Sequence, residues 1–136
     1  MGLILDTSIL IHAEKNKIEF NQWQKHGEAY LSVITITELL VGVHRANTEE
    51  RRIKRSAFVE HVIQSITALP FRSEEARIHA QLLSYLLNMG NTIGAHDLII
   101  AATAISNNHA VLTSNEADFN RIPGLKVISV SNEMIL

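Results

Sequence analysis

Short apolar runs, joined by stretches with helical spacing, constrain this chain more than any other feature. Leu3-Ile4-Leu5, Ala29–Ser32, Ala110–Thr113 and Lys126–Val130 show little of the apolar–polar alternation of a half-exposed strand. Strands of that kind are buried on both faces, as in a parallel sheet covered by helices. The expected strands are Gly2–Asp6, Ala29–Ser32, Thr67–Phe71, Ala110–Thr113 and Lys126–Val130. Between them, helices are expected over Thr7–Glu14, Ile18–Lys25, Thr35–Arg45, Glu49–Ser65, Ser73–Met89 and Asp97–Ser106. In Thr35–Arg45, Ile36, Leu39, Leu40 and Val43 share one face. In Ser73–Met89, Ala76, Ala80, Leu83 and Leu87 recur at spacings of three or four, and Gly90 ends the helix. Asp97–Ser106 is apolar nearly all round, which predicts a buried helix. The fold class is therefore α/β, a mainly parallel central sheet flanked by helices on both faces.

At 136 residues the chain is long enough for one domain with a proper core, spanning 1–136. It has no cysteine, which excludes disulfides and thiolate metal sites and agrees with a cytoplasmic protein. A formal charge of −2 excludes a strongly basic whole-chain footprint, so nucleic acid would need a local basic patch or metal ions on an acidic site. No apolar run is long enough for a transmembrane helix, and the N-terminus lacks the basic region of a signal peptide.

The acidic residues are placed unevenly. The chain has only three aspartates, and each lies at or near the end of an apolar run. Asp6 closes the first strand, Asp97 opens the buried helix, and Asp118 follows the strand Ala110–Thr113 by a short polar turn. Glu38 lies inside a further apolar stretch. Ligands of open α/β sheets bind outside the carboxyl ends of the strands, where these four positions can converge. Each also has a structural explanation. Asp6 and Asp97 suit helix N-termini, Thr35-Ile36-Thr37-Glu38 matches a capping box, and Asp118 suits a turn. Converging carboxylates repel, and a divalent cation removes the conflict. Oxygen ligands alone suit Mg²⁺ or Mn²⁺ better than zinc. Such an ion supports phosphodiester hydrolysis.

Four segments, in order, resemble the PIN-domain ribonucleases, specifically the toxin subunits of VapBC-type toxin–antitoxin pairs. They are Leu3-Ile4-Leu5-Asp6-Thr7-Ser8-Ile9-Leu10, Ser32-Val33-Ile34-Thr35-Ile36-Thr37-Glu38-Leu39 with Gly42, Ile93-Gly94-Ala95-His96-Asp97-Leu98-Ile99-Ile100-Ala101-Ala102, and Leu112-Thr113-Ser114-Asn115-Glu116-Ala117-Asp118-Phe119. The resemblance implies a Mg²⁺-dependent endoribonuclease that hydrolyses RNA with a metal-activated water. By the same resemblance Asp6, Glu38, Asp97 and Asp118 form the catalytic site. Asp6 and Asp97 would be the principal metal ligands, and Thr7, Thr113 and Asn115 support them. The fourth acidic role falls on Asp118 or on the position of Asn115. The resemblance further implies a homodimer, a small VapB-like antitoxin and a toxin–antitoxin hetero-oligomer, with no membrane association. A non-cleaving RNA- or partner-binding scaffold, and a metal-dependent DNA nuclease or phosphatase, remain as alternatives. His96 adjoins Asp97, but the family does not require a histidine there. Arg45, Arg51, Arg52, Lys54 and Arg55 form a basic cluster that would track an RNA backbone or be a solvated helix face. Trp23 and Tyr30 suit core packing better than base stacking.

Overall fold

The computed structural model describes residues 1–17 and 20–129. Five strands, β1 (Leu3–Leu5), β2 (Ala29–Ser32), β3 (Thr67–Leu69), β4 (Ala110–Thr113) and β5 (Val127–Ser129), form one sheet in the order β3-β2-β1-β4-β5. All four pairings are parallel, as wholly apolar strands require. The helices are α1 (Thr7–Asn16), α2 (Val33–His44), α3 (Glu49–Ser65), α4 (Ser73–Asn88), α5 (Ala95–Ser106) and the single turn α6 (Glu116–Phe119). A 3-10 helix, Phe20–His26, stands where an α-helix is expected. Ile18 and Glu19, the first residues of that expected helix, and Val130, the last of the expected final strand, lie outside the described residues.

Strand alternation sorts the core into two layers. Leu3, Leu5, Leu31, Ala110 and Leu112 pack against Ile9, Leu10 and Ala13 of α1, Leu39 and Val43 of α2, and Val59 and Val62 of α3. Ile4 and Val111 point the other way, onto Leu82 and Leu86 of α4 and Leu98, Ala101 and Ala102 of α5. Trp23 is buried in the first layer. Tyr30 packs on the second and stacks on His109 with the rings 5.0 Å apart. Trp23 is thus a core residue, and Tyr30 packs partly buried against the core. Among the described residues no helix is long and apolar enough to cross a membrane.

One expectation about faces changes. On α4 the buried positions are Glu75, Leu82 and Leu86, whereas Ala76, Ala80, Leu83 and Leu87 face solvent. Glu75 is the reason a charge can stand on the inner face. Its carboxylate accepts from the Arg72 backbone N–H at 2.9 Å and from the Ser106 hydroxyl at the end of α5. On α3, Ile53 is exposed, and the buried face runs through Val59 and Val62 to Ile66 beyond the helix end. Gly90 follows the α4 C-cap with φ +71°, a left-handed residue as expected.

From β1 the chain first builds outward through β2 and β3, then returns to β4 on the other side. The sheet therefore has its topological switch point between β1 and β4, where the crevice of such a sheet opens.

Candidate metal centre

The β1–β4 register pairs Leu5 with Leu112, so the next residues, Asp6 and Thr113, emerge side by side at the switch point. The Asp6 N–H bonds the Leu112 carbonyl at 3.0 Å, which fixes the approach. Asp6 occupies the N-cap position of α1, yet its side chain makes no capping bond. Its Oδ2 accepts instead from Thr113 Oγ1 at 2.8 Å and from Ser8 Oγ at 2.7 Å. Thr113 Oγ1 in turn accepts from the Asn115 N–H, and Ser8 Oγ from the Ser114 N–H. Both hydroxyls end on Oδ2, which leaves Oδ1 for a ligand. Asp6 is 5% exposed, so these donors offset the cost of burying it.

Glu38 does not belong to a capping box. The α2 helix begins earlier than expected, with the Ser32 hydroxyl accepting from the Ile34 N–H, and Glu38 falls in its second turn. Glu38 Oε1 accepts from Thr7 Oγ1 at 2.7 Å. Thr7 Oγ1 also lies 3.1 Å from Thr35 Oγ1. A hydroxyl has one proton, and the nearer, charged acceptor takes it, so Thr35 supplies the proton between the two threonines. His96 Nδ1 stands 3.3 Å from Glu38 Oε2, which ties α5 to α2.

Asp97 sits half-buried in the first turn of α5, whose N-cap is Gly94. Its carboxyl is pushed up to about 6, first by burial and then by the charges of Asp6, Asp118 and Glu38, with His96 opposing. The charges of all three other carboxylates thus act on Asp97. Among the described residues no hydrogen-bond donor holds the Asp97 carboxylate.

Asp118 lies in α6 rather than in a loop. Its Oδ2 accepts from Asn115 Nδ2 at 3.1 Å and its Oδ1 from Arg121 at 3.0 Å. The same Arg121 nitrogen bonds the Thr92 carbonyl at 2.8 Å. Asn115 and Asp118 are thus bonded members of one corner.

The donor set fits a hard cation: carboxylates, hydroxyls and one amide, in a chain without cysteine. Among the described residues no three acidic or histidine side chains already stand as the ligands of one ion.

Sequence reasoning passed over Ser8, Thr35 and Arg121. Ser8 stands two residues after Asp6, the spacing of a local side-chain turn, and Arg121 stands three after Asp118. Thr35 carried no signal beyond its match to a capping box.

An acidic crevice at the switch point of this five-stranded sheet is the architecture of a PIN domain, and the PIN domain family model matches residues 3–125. Ribonuclease VapC1 of Rickettsia felis is 49% identical over 133 residues, covering 98% of this chain and 99% of that protein. The tRNA(fMet)-specific endonuclease VapC of Salmonella typhimurium is 31% identical over 93% of this chain and 96% of its own length. The crystal structure of DNA-bound VapBC from Salmonella typhimurium superposes with a TM-score of 0.85 at 28% identity, covering 95% of this chain and 98% of that one. The chain belongs to the VapC ribonucleases of the PIN-domain family.

Proposed function

We propose that this chain is a metal-dependent endoribonuclease, the toxin of a type II toxin–antitoxin pair. Asp6 and Asp97 are its principal ligands for Mg²⁺ or Mn²⁺, and Glu38 and Asp118 complete the site. The observation that carries this reading is Asp97, a carboxyl raised to about 6 by burial beside three other carboxylates and held by no donor among the described residues. When bound, a divalent cation neutralises the cluster, activates a water and stabilises charge developing on a phosphodiester.

The chain's own residues prepare the site. Thr113 and Ser8 fix one oxygen of Asp6 and leave the other to ligate. Thr7 and His96 hold the two oxygens of Glu38. Asn115 and Arg121 hold those of Asp118, so it acts at the edge of the site. Relatives named as ribonucleases and as a tRNA(fMet)-specific endonuclease support RNA as the substrate class, and the VapBC complexes support a small antitoxin partner.

The test is cleavage of tRNA and rRNA fragments by antitoxin-free protein, in Mg²⁺ and in EDTA, with Asp6→Ala and Asp97→Asn alongside. Cleavage is expected only from the unsubstituted chain with metal. Cleavage that persists in EDTA, or in either variant, overturns the reading.

A further inference from the structure

Two buried threonines on helices use their hydroxyls differently. Thr103 of α5 donates to the Ile99 carbonyl at 2.8 Å, one turn back in its own helix, which is the ordinary destination. Thr35 of α2 is equally buried, at 0% exposed, but its hydroxyl lies 3.1 Å from Thr7 Oγ1 at the start of α1. Water does not reach Thr35, so its proton needs a protein acceptor. Among the described residues Thr7 is the one that bonds it.

Thr7 has one proton of its own, and that proton goes to Glu38 Oε1 at 2.7 Å. Thr35, Thr7 and Glu38 therefore form a relay of fixed direction, in which each hydroxyl donates toward the carboxylate. Thr35 and Glu38 stand about one turn apart on α2, and Thr7 closes the gap from α1. Thr7 directly follows Asp6, so the relay links Glu38 to Asp6 across a single backbone step. Chained bonds of this kind polarise one another, and each strengthens the next.

We propose that Thr35 is a positioning residue of the acidic centre: by donating to Thr7 it fixes Thr7 on Glu38, and so holds Glu38 ready beside Asp6 for a divalent cation. Thr35 is fully buried and has no route of its own to a cation or a substrate, so it acts only through Thr7. The inference rests on the metal-dependent reading above and extends the site to a neutral residue outside the acidic set.

The experiment is Mn²⁺ calorimetry of the full chain and its variants, with urea unfolding of each alongside. Thr35→Val keeps the shape and removes the hydroxyl. It is expected to weaken Mn²⁺ binding by about tenfold, the low end for a group that orients a ligand. Thr35→Ser returns the hydroxyl and is expected to restore the native affinity. A packing role would give the reverse order, because valine keeps the methyl group that serine loses. Thr103→Val removes an equally buried hydroxyl that bonds only within α5. It is expected to leave Mn²⁺ affinity unchanged even where it lowers stability. Thr7→Val is expected to weaken Mn²⁺ binding at least as much as Thr35→Val, and the double variant no more than Thr7→Val alone. Native affinity in Thr35→Val overturns the proposal. So do losses that add in the double variant, because Thr35 would then act by a route other than Thr7. A native chain that binds no Mn²⁺ overturns the metal-dependent reading, and this proposal with it. The titration involves no RNA, so failed cleavage beside intact Mn²⁺ binding counts against the nuclease reading alone.

Discussion

Thr113 Oγ1 donates a 2.8 Å hydrogen bond to Asp6 Oδ2, joining the residues that leave the two strands on either side of the topological switch point. The bond orients the carboxylate before any ligand arrives. Hydroxyls that orient a ligating carboxylate in this way commonly contribute tenfold to a hundredfold in metal affinity.

Thr113→Val removes the donor and keeps the shape. Ser8 still donates to Asp6, so the buried carboxylate is not orphaned. Mn²⁺ binding, followed by calorimetry, is expected to weaken by about tenfold. The accompanying loss of folding stability is about 1 kcal/mol, the net worth of one hydrogen bond. Unchanged Mn²⁺ affinity would show that Thr113 only closes the strand-to-loop turn.

Asp97 gives the metal-free protein an inverted pH dependence. Its ordinary value is 3.8 and the folded chain raises it to about 6. Between these values the folded state holds more protons than the unfolded state, so this group's contribution to stability falls as pH rises. Above about pH 6 the penalty is complete, and a bound cation relieves it. Other groups titrate nearby. His109 is lowered, mainly by burial, which gives the opposite slope in acid. The measurement is therefore the difference in melting temperature between the native chain and Asp97→Asn in EDTA. The variant is expected to gain relative to the native chain as pH climbs from 4 to 7. In the native chain, Mn²⁺ affinity is expected to fall below about pH 6, as protons compete for Asp97. A flat difference in EDTA would show that the four carboxylates do not interact in solution.

Much of the candidate site was legible in the sequence because its three aspartates stand at or near the ends of apolar runs. Asp6 ends β1 and Asp97 opens α5, so burial and position at the sheet edge follow together. The hydroxyl bonds were not legible. They depend on Leu5 lying opposite Leu112, a register that neither strand states alone. For Glu38 only the structural alternative fails, because Thr35-x-x-Glu38 has the form of a capping box while Ser32 starts the helix a turn earlier. On α4, Ala76, Ala80, Leu83 and Leu87 form an apolar stripe as regular as the one containing Leu82 and Leu86. Periodicity alone cannot choose between them, and the inner face also carries Glu75, whose charge finds donors there.

Glu75 yields a pH dependence of the ordinary sign. Its carboxyl is lowered, chiefly by the Ser106 hydroxyl and then by the Arg72 N–H. A lowered acid contributes stability above its unfolded value of 4.5, and this is lost as pH falls through the folded value. Glu75→Gln keeps the size and removes the charge. It is expected to cost about 2 kcal/mol at neutral pH, the scale of hydrogen bonds to a charged group. The cost should shrink in acid, where the native Glu75 is also neutral. Urea unfolding at neutral and at acid pH measures both. Equal costs at the two pH values would mean that packing, not charge, holds α4 to α5.

The last ordering concerns Asp118. Both of its oxygens already have donors, Asn115 and Arg121, whereas Asp6 keeps one oxygen open and Asp97 has no donor among the described residues. Asp6→Asn and Asp97→Asn are therefore expected to abolish metal-dependent cleavage. Asp118→Asn is expected to lower it by about tenfold to a hundredfold, the effect of a residue that acts through its neighbours. Arg121→Ala should fall in the same range, because it releases Asp118 Oδ1 and cuts the tie to the Thr92 carbonyl. Arg121→Lys preserves the charge and enough N–H donors for both acceptors but has a shorter side chain, so it should recover only part of the loss. Initial rates on one RNA at saturating Mg²⁺ rank the five variants. If Asp118→Asn proves as inactive as Asp97→Asn, Asp118 is a direct ligand, and the bonds from Asn115 and Arg121 must give way when metal binds.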